Sequence, residues 1–272
     1  MDTGYFGPEN ILMRIPSKKT IACALSGGAA RCIAHIGVLQ ALEEAGIRPD
    51  FIAGTSGGAI VGALYLDGMS IAELAEIAAK TRWRDLFYPG GKMGFVDSRG
   101  ICLYMKKLLK SRDITDLQKP FAAVCADLAT GDKVNLTSGP LASALQASAS
   151  LPVVFTPTFL NNRHLIDGGY VSMVPVITAR EMWKPDVVVA VDVNFGSVPE
   201  TRLTNIVNIA MHLAVTYARK NTESELSMAD VAIRVNVGGI GLTDMHKHKE
   251  LIERGRQAAI ESLPDIIRSL QG

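Results

Sequence analysis

Short apolar runs alternate with stretches of helical periodicity along most of the chain. Thr20 to Leu25 reads as a first strand, followed by the turn Ser26, Gly27, Gly28, Ala29, Ala30 and a helix from Arg31 to about Ala45, where Gly46 ends it. Pro49 and Asp50 lead into the strand Phe51 to Ala53, and Ala59 onward reads as a helix to about Leu66. This strand-helix-strand-helix order predicts parallel pairing. Ser70 with Glu73 three residues later forms a capping box, which starts a helix over 70–80. Periodicity then breaks over 81–100, where Trp83, Leu86, Phe87, Tyr88, Met93 and Phe95 stand among glycines and Pro89, a composition suited to a loop or lid.

Further along, the pattern predicts a helix over 101–110 and a strand-turn-strand unit with Thr130, Gly131 and Asp132 at its turn. An alanine-rich helix follows from Pro140 to Ser148, then a strand over 163–167 that delivers Asp167 into Gly168 and Gly169. The valine run between Asp186 and Val193 reads as a central strand buried on both faces. Leu203, Ile206, Val207, Ala210, Leu213, Ala214 and Tyr217 recur at helical spacing and predict a core-facing helix. Ala232 to Val237 is the last strand, and 247–270 a closing helix.

Nothing divides the 272 residues into units, so the expectation is one domain over 20–272 behind an N-terminal extension, 1–19. A hydrophobic content of 48% fits an α/β protein with a substantial core. The net charge of +1 provides no general field for nucleic acid, so any charged partner must be met locally. Cys23, Cys32, Cys102 and Cys125 form no CxxC pair and read as reduced, buried thiols. The first twenty residues lack a signal-peptide pattern and no 18-residue apolar run occurs, which points to a soluble cytoplasmic protein.

The chemistry concentrates at Gly54-Thr55-Ser56-Gly57-Gly58, between an apolar strand and a helix. A serine at such a turn projects its hydroxyl above the sheet edge, over a helix N-terminus that favours negative charge. Gly54 and Gly58 keep Cβ atoms out of the turn, and Ser56 is the candidate nucleophile; the bland alternative is a glycine-rich turn. The glycine turn at 27–29 can aim backbone N–H groups at an oxyanion, and it matches neither the GxxxxGK[ST] nor the GxGxxG order of nucleotide sites. Asp167 is the candidate base, with an ordinary Asp-Gly turn as its alternative.

The segments LSGGAARCIAHIGVLQALEEAGI, DFIAGTSGGAIVGALYLDG and LIDGGYVSMVPV, in this order and spacing, resemble the patatin-like phospholipase family, particularly its small bacterial members. CADLATGDKVNLTSGPLASALQASASLPVVFTP and GIGLTDMHKHKELIERG extend the resemblance over roughly residues 20–270. It implies a three-layer α/β/α sandwich with a mainly parallel central sheet, and a serine acyl hydrolase working through a Ser-Asp dyad without cofactor or metal. By position, Ser56 is then the nucleophile, Asp167 the base, and the backbone of Gly27, Gly28 and Ala29 the oxyanion hole, supported by Arg31, Gly54, Gly58, Gly168 and Gly169. Two residues depart from the family's loop of three glycines, any residue, Arg, Gly: Ala29 replaces the third glycine and Cys32 the last. Ala29 keeps an N–H but has a narrower φ range, so either the hole is displaced or no positive φ is needed. Cys32 reads as a small buried residue in a glycine's place, and Arg31 as a pin for the loop rather than a contact for a lipid phosphate.

An aspartate is a weak base toward a hydroxyl, so histidines compete for the role. His35 reads as packed, His164 as facing away from Asp167, and His212 as boundary packing. His246 or His248 would complete a Ser-Asp-His triad, although their polar setting resembles a solvated helix start. As metal ligands they diverge by about 200° on a helix. The resemblance implies acyl esters of phospholipids, lysophospholipids or glycerides as substrates. Lys92, Arg99, Lys106, Lys107, Lys110 and Arg112 oppose Asp97 and Asp113 beside the aromatics, which suits peripheral contact with an anionic lipid surface; a packed lid with a solvated basic helix is the alternative. An oligomer is left open. The rival function is a catalytically silent lipid-binding protein whose loop has drifted at Ala29 and Cys32.

Overall fold

The computed structural model describes residues 19–88, 96–197 and 222–272, with Ile209, Leu213, Thr216 and Tyr217 from the stretch between. The extension 1–18, the segment 89–95 with Pro89, Lys92, Met93 and Phe95, His212, and most of the expected 202–219 helix lie outside these residues. Among the described residues, no helix is long and apolar enough to cross a membrane.

Eight strands form one sheet: β1 (Ile21–Leu25), β2 (Phe51–Thr55), β3 (Phe121–Asp127), β4 (Lys133–Leu136), β5 (Thr158–Leu160), β6 (Arg163–Asp167), β7 (Val187–Asp192) and β8 (Val231–Arg234). Helices α1 (Ala34–Glu44), α2 (Gly57–Leu66), α3 (Ile71–Lys80), α4 (Arg99–Leu108), α5 (Leu141–Ser148), α6 (Val176–Trp183) and α7 (His248–Gln271) flank it. Hydrogen-bonded neighbours run β5-β6-β3-β2-β1-β7-β8, with β4 also on β3. The β1–β2, β2–β3, β1–β7 and β7–β8 pairs are parallel, as the alternation of strands and helices predicts. The β4 and β6 pairings on β3, and the β5–β6 hairpin, are antiparallel. Asn161 and Asn162 turn that hairpin with φ of 51° and 59°, left-handed values that asparagine tolerates.

Strand alternation sorts the core into two layers. In β1, Ile21, Cys23 and Leu25 join the larger cluster, together with residues of α1, α2, α4, α5 and α7. Ala22 and Ala24 face the other side with Ala53, Ala122, Val188 and Ala190, where α6 and the segment 173–174 pack. Small residues on that face let the backbone after Asp167 approach the sheet closely. One expectation fails in the described part of 202–219: Leu213 and Tyr217 are exposed at 61% and 56%, not core-facing. Periodicity identifies an apolar face but not what covers it.

Candidate active site

The meeting of Ser56 and Asp167 follows from the edges of β3. Ala123 to Ala126 pair with β4 on one edge, so β2 and β6 must share the other. β2 ends there with Thr55 opposite Val124, and β6 arrives from the opposite direction with Asp167 opposite Cys125. The two strands meet end to end at consecutive positions of one partner. A Cβ at Gly168 would lie 2.2 Å from the Val124 carbonyl oxygen, so only glycine lets the chain leave that junction.

Ser56 sits at φ 55°, ψ −125°, a conformation that strains a residue bearing a Cβ. The elbow around it is equally tight. A Cβ at Gly54 would be 2.5 Å from the Cα of Ala59, and one at Gly58 2.4 Å from the Ser26 carbonyl oxygen. The Ser56 N–H donates to the Ser148 hydroxyl at 2.9 Å, which in turn donates to the Val124 carbonyl at 2.7 Å. The Asp167 N–H donates to the Ser150 carbonyl at 3.0 Å, so the C-terminal end of α5 holds both candidates by their amides. Neither serine is singled out by the sequence pattern, because an alanine-rich helix end gives no sign of what its hydroxyls reach.

The Asp167 carboxylate accepts the N–H of Gly169 at 2.8 Å and lines the same cavity as the Ser56 side chain. Burial pushes its pKa up to about 6, while the neighbouring Ser56 hydroxyl and the Gly169 N–H act the other way.

The glycine loop departs from expectation at one position. Gly27 donates its N–H to the Met173 carbonyl at 3.1 Å, so that group is not available to an oxyanion. A Cβ there would lie 3.3 Å from the Ser56 Cβ, and the absence of a side chain is what Gly27 contributes. The N–H groups of Gly28 and Ala29 have no acceptor among the described residues. Ala29 does adopt a positive φ, 52°, at a cost of about 1 kcal/mol for a residue with a Cβ. Arg31 is buried, and its Nε donates to the Ile240 carbonyl at 2.9 Å. Asn194, 3.4 Å from the Arg31 guanidinium, donates to the Gly27 carbonyl at 2.8 Å. Both side chains tie the loop to segments that follow β7 and β8, far away in sequence. Cys32 is buried against the elbow with its thiol pKa raised by desolvation, which makes it a poor nucleophile.

A cavity of about 300 Å³ opens beside Ser56 and Asp167. Its walls include Ile60 and Leu64 of α2, Leu74 and Ile77 of α3, and Ile101 and Met105 of α4. Trp83 and Phe155 contribute at the 81–88 and 151–155 segments, and the Trp83 indole donates to the Thr243 carbonyl at 2.9 Å. None of the described histidines lines it. His35 is fully buried, hydrogen-bonded to the Ser26 carbonyl at 2.9 Å, with its pKa lowered by burial to about 4. His164 lies tilted against Phe159, with ring centroids 5.1 Å apart. His246 lies in the short turn Met245–Lys247 and His248 opens α7; neither lines the cavity that holds Ser56 and Asp167.

The patatin-like phospholipase family model matches residues 23–180, more than half of the chain and the span that carries both Ser56 and Asp167. The chain belongs to the patatin-like phospholipase family. Among similar proteins, patatin-like phospholipase domain-containing protein 7 of Rattus norvegicus is 37% identical over 207 residues, covering 71% of this chain and 15% of its own length. An uncharacterized NTE family protein of Mycobacterium bovis is 35% identical over 196 residues, covering 69% of this chain and 52% of its own. The chain thus spans a small part of the mammalian relative and about half of the mycobacterial one. Two solved structures share the fold: VipD from Legionella pneumophila (TM-score 0.53, 15% identity, 92% of this chain and 67% of that one) and ExoU, solved in complex with SpcU, from Pseudomonas aeruginosa (TM-score 0.52, 16% identity, 94% and 53%).

Proposed function

We propose that this protein is a serine acyl hydrolase that cleaves acyl esters of lipids through a Ser56-Asp167 dyad. One observation carries the reading: a strained serine stands beside a buried carboxylate and two N–H groups that have no acceptor among the described residues, at an apolar cavity. In this mechanism Asp167 takes the hydroxyl proton as the Ser56 oxygen bonds to the ester carbonyl carbon. The N–H groups of Gly28 and Ala29 hold the resulting oxyanion. The C–O bond to the alcohol breaks, the alcohol leaves with the proton from Asp167, and water repeats the sequence on the acyl-serine.

Asp167 must be ionised to act. Its raised pKa therefore predicts that kcat/KM rises with pH through about 6 and levels off above it. The same shift sets stability: the folded state holds a proton that the unfolded chain releases near 3.8, so this stabilisation is full below that pH and lost through 6. The two-unit gap corresponds to about 3 kcal/mol. Asp167→Asn is expected to raise the melting temperature relative to wild type at pH 8 and about half as much at pH 5; an equal effect at both would contradict the shift.

The acyl chain is expected to run along α2 from Ser56 to Leu64, about 12 Å at helical rise. That is the extended length of roughly nine or ten C–C bonds. Hydrolysis of p-nitrophenyl esters from acetate to palmitate should peak at medium chains, and acetate as the best substrate would contradict the assignment of the cavity. Phe87, at the cavity wall, and its neighbour Tyr88 are each 41% exposed, with Arg82 and Arg84 close by in sequence, which supports a lipid surface as the peripheral partner. Binding to anionic vesicles in sedimentation at low salt is the expected result, and no binding removes this partner. The four free, buried cysteines support a reducing compartment such as the cytoplasm.

A further inference from the structure

Glu225 is buried to 5% exposure in a helical turn at 222–226, beyond the span that matches the family model. One carboxylate oxygen accepts the Ser172 hydroxyl, and the other accepts the Val174 N–H at 3.2 Å. Burying a carboxylate is costly unless donors hold it, and here both oxygens are held by one short segment.

That segment touches every part of the candidate machinery. The Ser172 carbonyl accepts the hydroxyl of Thr55, the residue before Ser56, at 2.8 Å. The Met173 carbonyl accepts the Gly27 N–H at 3.1 Å, and the Ser172 N–H donates to the carbonyl of Gly168, next to Asp167, at 2.9 Å. The Met173 side chain packs at both glycine turns, since a Cβ at Gly27 would be 3.0 Å from its sulfur and one at Gly169 3.0 Å from its methyl carbon. Residues 172–174 are therefore the common support of the elbow, the aspartate turn and the glycine loop.

We infer that Glu225 is a positioning residue that holds residues 172–174 and thereby sets the register of Ser56, Asp167 and the Gly28-Ala29 N–H pair. The inference rests on the acyl-hydrolase reading for its kinetic consequence. Without the carboxylate, two buried donors lose their acceptor and the segment must move or take in water. The Met173 carbonyl then shifts, and with it the N–H that fixes Gly27. A displacement of about 1 Å at such a site costs roughly 100-fold in rate.

The test uses the full chain with Glu225→Ala, Glu225→Gln and Ser172→Ala, assayed on a medium-chain p-nitrophenyl ester and with an alkyl trifluoromethyl ketone, whose hemiketal oxygen needs the same N–H pair. Glu225→Ala is expected to lower kcat about 100-fold with KM changed less than about threefold, and ketone affinity should fall in parallel with kcat. Glu225→Gln can still accept the Val174 N–H and donate to Ser172, and is expected to recover to within about tenfold of wild type. Hydrogen exchange of the peptide over 25–31 should accelerate in Glu225→Ala. If that variant does not fold, Ser172→Ala removes one of the two contacts and should show a smaller fall of the same kind. Unchanged kcat and exchange in folded variants, or a fall in kcat without loss of ketone affinity, would overturn the inference. An inactive wild type would overturn the hydrolase reading instead, and the exchange rates would still decide whether Glu225 holds the loop.

Discussion

Ser56→Ala and Asp167→Asn are each expected to remove at least about 10³ to 10⁴ of the esterase activity while leaving the fold intact. In the proposed mechanism the serine supplies the atom that bonds to the acyl carbon, and its side chain shares the cavity with the Asp167 carboxylate. Asparagine keeps the size of Asp167 but cannot take a proton. Residues that act as a unit lose activity together, so the double variant should be scarcely worse than either single one. His246→Ala/His248→Ala is expected to keep near wild-type rates, because neither histidine lines the cavity. Steady-state kinetics on one medium-chain ester reads all four variants; an inactive, folded histidine variant would return the assignment to a triad.

The largest stability effect is expected where α1 crosses α7. A Cβ on Gly37 would stand 1.8 Å from the Ile252 carbonyl oxygen, and one on Gly255 2.0 Å from the Ala34 carbonyl oxygen. Both obstacles are backbone, so relief requires the helices to separate rather than a side chain to rotate. Gly255→Ala should therefore lose about 3 kcal/mol or more, despite alanine's better helix propensity. For a chain of this size that corresponds to roughly 6–12 °C in melting temperature. Gly131→Ala is the comparison, since its Cβ meets nothing and only the positive φ of 77° opposes it. Thermal unfolding in which the two variants behave alike would contradict the close crossing.

Much of the site can be read from residue order. The strand before Gly54, the helix after Gly58 and the strand into Asp167-Gly168-Gly169 all follow from local patterns, and each lies where expected. The parallel half of the sheet is equally legible, because alternating strands and helices leave few other arrangements. What a linear pattern does not encode is which edge of a strand a partner takes. That β2 and β6 share one edge of β3 depends on register, and this sharing brings Ser56 and Asp167 together.

The same limit applies to groups acting from a distance. Asn194 and Glu225 hold the glycine loop and the 172–174 segment through contacts spanning 167, 53 and 51 positions, and no short-range signal marks them. Gly37 and Gly255 look like ordinary helix interruptions until the helices cross. The commitment of the Gly27 N–H to Met173 is likewise a tertiary fact, and it reduces the expected oxyanion loop to two available donors.

Covalent labelling tests the central claim most directly. The folded wild-type chain is treated with an alkyl fluorophosphonate, digested and mapped by mass spectrometry, with Ser56→Ala and Asp167→Asn alongside. A single adduct on the peptide carrying Ser56, absent in Ser56→Ala and much slower to form in Asp167→Asn, is the expected result. No adduct on the folded protein, or an adduct on another serine that survives Ser56→Ala, would contradict Ser56 as the nucleophile.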